Sequence, residues 1–573
     1  MRDMEYIPEN PVAGILAPVF CLRGANDLGI GDTGALLELV RWAAENHIGA
    51  VQILPVNETG GDFSPYNLRS GMALDPLTIE TVPGRLPGLK SKAFAHILDR
   101  HDLDSLRSDR VNYAGITSLK TELLQAGFEG LHAVDRKKLE EFRNSHSQWL
   151  EPYALFRGLM DLHDGEEDPG RWPSEHSTPQ AARAWMASLS TAESVRFQRL
   201  VDFRAYVQWV AYSQWQEVRA EADRLHVALI GDVPVGVSIF SSDVWASPSL
   251  FDRDRSSGAP PEKVFKSDPF TEQWGQNWGF PLYDWRAMAA DNFSWWRLRF
   301  RLMRSIFPLL RVDHALGFFR IYSFPWRPSE NERFIGLTPD QAAAITGGEL
   351  PRFVDHDDST EEFRAHNRRH GELILSMFLE ETGPYRILAE DLGDVAPYVR
   401  PVLEALKIPG FKIPQWELDG DHFTPGSDYP RLSVATFATH DHPPIRTFWE
   451  DLLTQARSGD PALSEAAISE MKKILEFCGA SQLPVPSHYS RDVHYAFLEG
   501  LLASNAWLAI HMVTDLFGTD LRFNVPGSSA TQNWSARIPE PISRWNSTHG
   551  ELLASFRQMI SRTGRQPGGA RAV

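Results

Sequence analysis

The sequence predicts an α/β fold built on a parallel barrel, and three observations predict it. The chain opens with a strand, a helix and a second strand in close succession. Four later strand-like runs each end in acid, at Asp232, Asp313, Glu390 and Asp441. No internal repeat or low-complexity linker divides the chain, so one decorated barrel accounts for its 573 residues better than several domains do.

Taken in order, Gly14-Ile-Leu-Ala-Pro-Val-Phe20 reads as a short buried strand. A loop runs to Gly31, and Asp32 then caps a helix. Its apolar residues Leu36, Leu37, Val40, Ala43 and Ala44 recur at helical spacing, and Gly49 lies just past its end. Ala50-Val-Gln-Ile-Leu-Pro55 is the second strand. It empties into the loop Asn57–Asn67, which carries Ser64, Pro65 and Tyr66. Loops at the carboxyl ends of parallel strands are where α/β folds place their sites.

From about residue 77 to 225 the pattern is polar and helical, an insertion on the barrel; a smaller one is expected at about 328–380. Val227–Val235 is a strand carrying Asp232, and its loop holds Asp243, Trp245 and Pro248. Gly258–Phe265 and Trp274-Gly-Gln-Asn-Trp-Gly279 read as an ordered loop presenting amide and indole groups. In Phe307–Phe319, strand alternation points Arg311 and Asp313 the same way. The guanidinium would hold Asp313 ionised, as a nucleophile must be. A structural Arg–Asp pair explains that stretch equally well on its own. Tyr385–Gly393 ends in Glu390 and Asp391, of which alternation admits one to the site. Ile408–Gln415 follows closely, and Leu432–Asp441 ends in His440 and Asp441. Phe497 to Val513 reads as helix. Phe523–Gly527 and Gln532-Asn-Trp534 form a polar, aromatic loop. Residues 1–562 are thus expected to be one catalytic barrel, with a disordered tail at 563–573.

Composition narrows the chemistry. A net charge of −18 argues against nucleic acid and anionic membranes as partners. There is no transmembrane run and no apolar signal-peptide core. The two cysteines, Cys21 and Cys478, fit a reducing cytoplasm. The 18 Trp and 32 Phe offer flat faces for sugars or bases, though most such residues serve the core. Paired carboxylates are the working parts of glycoside cleavage, one attacking the anomeric carbon and the other protonating the departing oxygen. Magnesium ligation is the competing use of acids at a barrel mouth. The aromatic loops and Arg311 favour a neutral polyol instead, and no Walker-type phosphate loop is present.

Nine segments in order carry a resemblance: Ser64-Pro-Tyr66, Gly231-Asp-Val-Pro-Val235, Asp243-Val-Trp-Ala246, Gly258-Ala-Pro-Pro261, Gly275-Gln-Asn-Trp-Gly279, Arg311-Val-Asp-His314, Ala389-Glu-Asp-Leu-Gly393, Thr439-His-Asp441 and Asn524-Val-Pro-Gly527. Over nearly its whole length the chain resembles the 4-α-glucanotransferases (amylomaltases, disproportionating enzymes) of glycoside hydrolase family 77. The resemblance implies a (β/α)8 barrel with helical insertions, acting on α-1,4-glucans and maltooligosaccharides with glucose as an acceptor. It implies no metal and no cofactor. Asp313 matches the nucleophile, Glu390 the general acid/base and Asp441 the acid that grips the distorted sugar. Arg311, His440 and Asp232 match their polar neighbours; Tyr66, Gln276, Trp278 and Asn524 match glucan-contacting loop positions. Three departures bear on acceptor preference and product size: His442-Pro443-Pro444 after Asp441, Leu316 where an Arg is common, and a longer segment from Lys266 to Trp274. A hydrolase using the same intermediate and a non-catalytic glucan-binding barrel are the alternative readings.

Overall fold

The computed structural model describes residues 8–261, 268–354, 356–485, 487–526 and 532–566. Eight parallel strands close a barrel: β1 Val12–Leu16, β2 Ala50–Gln52, β3 Ala228–Val233, β4 Leu309–Val312, β5 Ile387–Ala389, β6 Gly410–Lys412, β7 Ser433–Ala435 and β8 Leu508–Met512. Each strand pairs with its neighbours in sequence, and Val12 of β1 lies opposite Leu508 of β8 to close the ring. This is the (β/α)8 barrel the sequence predicts.

The strands are apolar on both faces because both faces are covered. Leu16, Ala50, Ile230, Leu309, Leu388, Phe411, Val434 and Ile510 fill the lumen as one cluster. Alternate residues such as Leu310 and Val312 belong instead to the larger core between strands and helices. Between β1 and β2 the Asp32 carboxylate accepts from the amides of Gly34 and Ala35 and caps the helix Thr33–Glu45.

Two segments depart from the sequence reading. Phe497–Val513 is not one helix: a helix ends at Leu502 and β8 follows. Trp507-Leu-Ala-Ile-His-Met512 is buried on both sides, so it shows no alternation that would separate strand from helix. Trp274–Gly279 is not a loop either. Gln276–Tyr283 is a strand in a four-stranded antiparallel sheet with Phe251–Ala259, Ile321–Phe324 and Arg352–Val354. Gly275, at φ 98°, makes the corner between the helix Pro269–Trp274 and this strand. A side chain there would meet the Ala259 carbonyl oxygen at 2.1 Å. Residues 262–267, shared by the Gly258–Phe265 and Lys266–Trp274 segments, lie outside the described residues.

Between β2 and β3 the inserted residues form helices, the longest being Ala133–Leu162 and Thr191–Arg224. The second, 34 residues and so about 50 Å long, reaches from the insertion onto the barrel. There the Thr33 hydroxyl donates to Gln214 at 2.5 Å, and the Trp215 ring meets Phe307 at 5.6 Å. Between β4 and β5 lie short helices, the strand Arg352–Val354 and the helix Glu361–Thr382. No helix among the described residues is long and apolar enough to cross a membrane.

The expected disordered tail needs correction at its start. Arg565 is 1% exposed. Its guanidinium donates to the carbonyls of Val12, Leu502, Ser504, Ala506 and Trp507 at 2.6–3.2 Å. Ordered chain therefore extends through this residue, because the carbonyls beside the β1–β8 seam need a donor. Residues 567–573 lie outside the described residues. Arg565→Ala removes a donor from all five carbonyls, of which that of Trp507 keeps the Val12 amide at 2.8 Å, and a loss of about 2–4 kcal/mol is expected from urea unfolding; an unchanged midpoint would show that the staple is dispensable.

Candidate active site

Asp232 on β3 and Arg311 on β4 are register partners, so their side chains leave the barrel wall on the same face. Asp313, two residues beyond Arg311, follows the same alternation. Arg311 Nη1 lies 2.7 Å from both Asp232 oxygens and 3.0 Å from Asp313 Oδ1. Beneath it the lumen turns apolar, with the Phe411 ring centroid 6.0 Å from the guanidinium carbon. The Asp232 side chain is fully covered, whereas that of Asp313 is 21% exposed and faces the mouth.

Glu390 directly follows β5. Its Oε2 accepts from the His314 amide at 2.8 Å and its Oε1 from the Leu392 amide at 3.2 Å. The first bond depends on a left-handed backbone at His314, φ 43°, an uncommon conformation for a side-chain-bearing residue. Asp391 turns the other way, accepting from the Phe411 amide at 2.7 Å and pairing with Arg400. One of the two adjacent acids thus enters the site, as alternation requires. Burial pushes the Glu390 carboxyl up to about 8; Arg311 pulls against this and Asp313 adds to it. Burial likewise pushes the His314 imidazole down to about 4.

Asp441 lies beyond the end of β7 at Ala435, on a turn rather than at the strand tip as the sequence suggested. Asn524 Nδ2 donates to its Oδ1 at 2.6 Å, and His440 Nε2 stands 3.3 Å from its Oδ2. Desolvation in the mouth pushes this carboxyl up although its side chain is 41% exposed, but His440 and Asn524 outweigh it and hold Asp441 below the ordinary carboxylate range. The Tyr66 hydroxyl donates to Asp232 Oδ2 at 2.8 Å, and its ring stacks on His440 at 5.0 Å. Trp534 packs against both rings. Tyr66, Asp232, Arg311, Asp313, His440, Asp441 and Asn524 therefore form one connected network. Gln276 and Trp278 join through His314: the Trp278 indole donates to Gln276 at 3.2 Å and meets the His314 ring edge-on at 4.8 Å.

The Tyr66 loop is held from outside the barrel. The Gly71 amide and the Trp295 indole each donate to Asp243, both at 2.8 Å. Buried Glu58 takes Arg69 at 3.3 Å, and Arg157 at 3.1 Å and the Tyr153 hydroxyl at 2.5 Å from the inserted helix Ala133–Leu162. Sequence reasoning missed Glu58, whose signal is a single unremarkable acid. It also missed the His314 amide, which has no side-chain signature. Trp534 was visible as part of an aromatic loop. Leu316 is buried in the turn after Asp313. Gly527 lies outside the described residues. Among the described residues no group of three or more His, Cys, Asp or Glu could hold a metal ion.

Comparison with known proteins shows the family and the fold. Residues 17–543 match the 4-alpha-glucanotransferase family, glycoside hydrolase family 77. The chain is 29% identical to a 4-alpha-glucanotransferase of Chlamydia caviae over 568 residues, covering 96% of this chain and 95% of that one. It is 30% identical to one of Chlamydia pneumoniae over 552 residues, covering 93% and 92%. Amylomaltase from Streptococcus agalactiae, solved in complex with acarbose, has a TM-score of 0.71 at 20% identity, over 97% of this chain and 100% of that one. Amylomaltase from Corynebacterium glutamicum has a TM-score of 0.74 at 20% identity, over 98% and 76%. At this identity the structural likeness concerns the fold.

The site geometry makes one spectroscopic prediction. Carbon-13 NMR of the glutamate carboxyls should show one group titrating near 8 rather than near 4.3, absent in Glu390→Gln. A Glu390 that titrated in the ordinary range would contradict the desolvated environment described here.

Proposed function

The chain belongs to the 4-alpha-glucanotransferase family, glycoside hydrolase family 77. From that premise we propose that it moves α-1,4-glucan segments from a maltooligosaccharide, starch or glycogen donor to glucose or another glucan, by retaining double displacement. The observation that carries the mechanism is a pair of carboxyls in unlike environments. Asp313 is ion-paired with Arg311, whereas Glu390 has two backbone amides for partners and, with desolvation raising it, holds its proton to about 8. A carboxyl that keeps its proton, beside one held by a guanidinium, supports a division into acid and nucleophile.

In the first step Glu390 gives its proton to the glycosidic oxygen while the Asp313 carboxylate attacks the anomeric carbon, forming a β-glucosyl-enzyme. In the second, Glu390 takes the proton from an acceptor hydroxyl as that oxygen displaces Asp313. Inversion twice gives retention. The His314 amide aims Glu390 through both steps. Asp441, kept ionised, grips the hydroxyls of the distorted donor sugar, and Asn524 and His440 fix its two oxygens. Arg311 compensates Asp232, which in turn orients Tyr66. Transfer requires that a sugar hydroxyl reach the intermediate before water does. Trp278 and Tyr66 are suited to stack an acceptor and exclude water. Cys21 and Cys478 are both free, which suits a reducing cytoplasm.

With maltotriose, longer oligosaccharides and glucose should appear at constant total reducing ends; rising reducing ends without longer products would make the protein a hydrolase. Asp313→Asn should lower turnover by at least about a thousandfold while glucan binding persists, and near-normal rates would sink the mechanism. The acid must be protonated, so kcat/KM should fall as pH rises through about 8, the point at which Glu390 loses its proton. Trp278→Ala and Tyr66→Ala should each raise the share of hydrolysis; an unchanged transfer-to-hydrolysis ratio would remove them from the water-excluding role.

A further inference from the structure

The segment that follows Asp441 is tied back on itself. The His442 amide donates to the Thr439 carbonyl at 3.0 Å. In return His442 Nδ1 stands 3.1 Å from the Thr439 amide and 2.8 Å from its hydroxyl. An amide can only donate, so Nδ1 is an acceptor and the ring hydrogen sits on Nε2. The Thr439 hydroxyl in turn accepts from the Asp441 amide at 3.4 Å. The three Thr439–His442 contacts span Asp441, whose carboxylate faces the mouth, and the fourth ends on its amide.

The ring is also clamped from both sides. The His442 imidazole lies against the Trp416 indole, 4.9 Å between centroids, on the loop that follows β6. Downstream, Pro443 and Pro444 restrict the backbone. The Ile445 amide, which opens the helix Ile445–Ala456, donates to Asp515 Oδ1 at 2.8 Å. Burial lowers the His442 basicity to about 4, with Asp441 opposing and His440 and Arg522 adding, so the acceptor lone pair survives at neutral pH.

We propose that His442 is a positioning residue for Asp441: with the Nδ1 lone pair shared between the amide and the hydroxyl of Thr439, and its ring packed against Trp416, it sets the turn that carries His440 and Asp441. This rests on Asp441 gripping the donor sugar. The grip tightens as the sugar distorts, so a displaced turn costs turnover more than ground-state binding.

The test is kcat, KM and thermal midpoint with maltotriose for His442→Leu, His442→Asn, Thr439→Val and Asp441→Asn. His442→Leu fills similar space but accepts no hydrogen bond, and should lower kcat about tenfold to a hundredfold with KM within about twofold. His442→Asn, whose amide oxygen can accept from Thr439, should recover most of the loss. Thr439→Val, which removes only the hydroxyl half, should fall between. A wild-type kcat in His442→Leu overturns the proposal, and so does a loss that His442→Asn does not recover. If His442→Leu does not fold, Thr439→Val decides: a lowered kcat at unchanged KM supports the clasp, and a wild-type kcat overturns it. Asp441→Asn separates the two readings. If it keeps its kcat, the role of Asp441 fails and the clasp with it; if it collapses while His442→Leu does not, only the clasp fails.

Discussion

One guanidinium, that of Arg311, determines how several carboxyls can share the mouth of this barrel. Charges taken out of water must be compensated where they lie. Asp232 is fully covered and takes both its ion-pair contacts from Arg311, while the same nitrogen reaches Asp313. That cation is bonded to two aspartates; Glu390 has backbone amides for its hydrogen-bond partners, and desolvation raises its carboxyl against the pull of Arg311. The unlike surroundings of Asp313 and Glu390 thus follow in part from where a single positive charge sits. The sheet fixes that place: β3 and β4 set Asp232 opposite Arg311 before any side chain is chosen.

The inserted helices are part of the same arrangement. The Tyr66 loop would have little to hold it over the mouth if it met only the barrel. Glu58, buried at its root, is neutralised by Arg69 and by Arg157 from the insertion, and Asp243 ties its far side to Trp295. A buried, multiply bonded acid at the base of a loop gives an aromatic at its tip a fixed position. The small antiparallel sheet does the corresponding work opposite, presenting Trp278 to His314.

What could be read from the sequence follows a physical division. The first strand–helix–strand unit was legible because its helix is one-sided and capped by Asp32. Arg311 and Asp313 were legible because alternation alone places them on one face. β8 was hidden because a strand covered on both sides carries no period. The four-stranded sheet was hidden because its strands come from two separate loops and pair only in space. His314 contributes its amide and a left-handed backbone, and neither is encoded in side-chain chemistry. Arg565, in Gly- and Arg-rich text that reads as a loose end, is a buried donor to five carbonyls.

That staple has a consequence for how the chain is made. β1 finds its second neighbour only in β8, and Arg565 seals the seam from beyond both. Seven strands and the whole insertion leave the ribosome before the ring can shut. Until then two edges of a parallel sheet stand open, the condition in which strands most readily pair with the wrong chain. Such non-local closure is slow. The barrel is therefore most exposed to aggregation late in its synthesis, until β8 pairs with β1 and Arg565 bonds the carbonyls beside the closed seam.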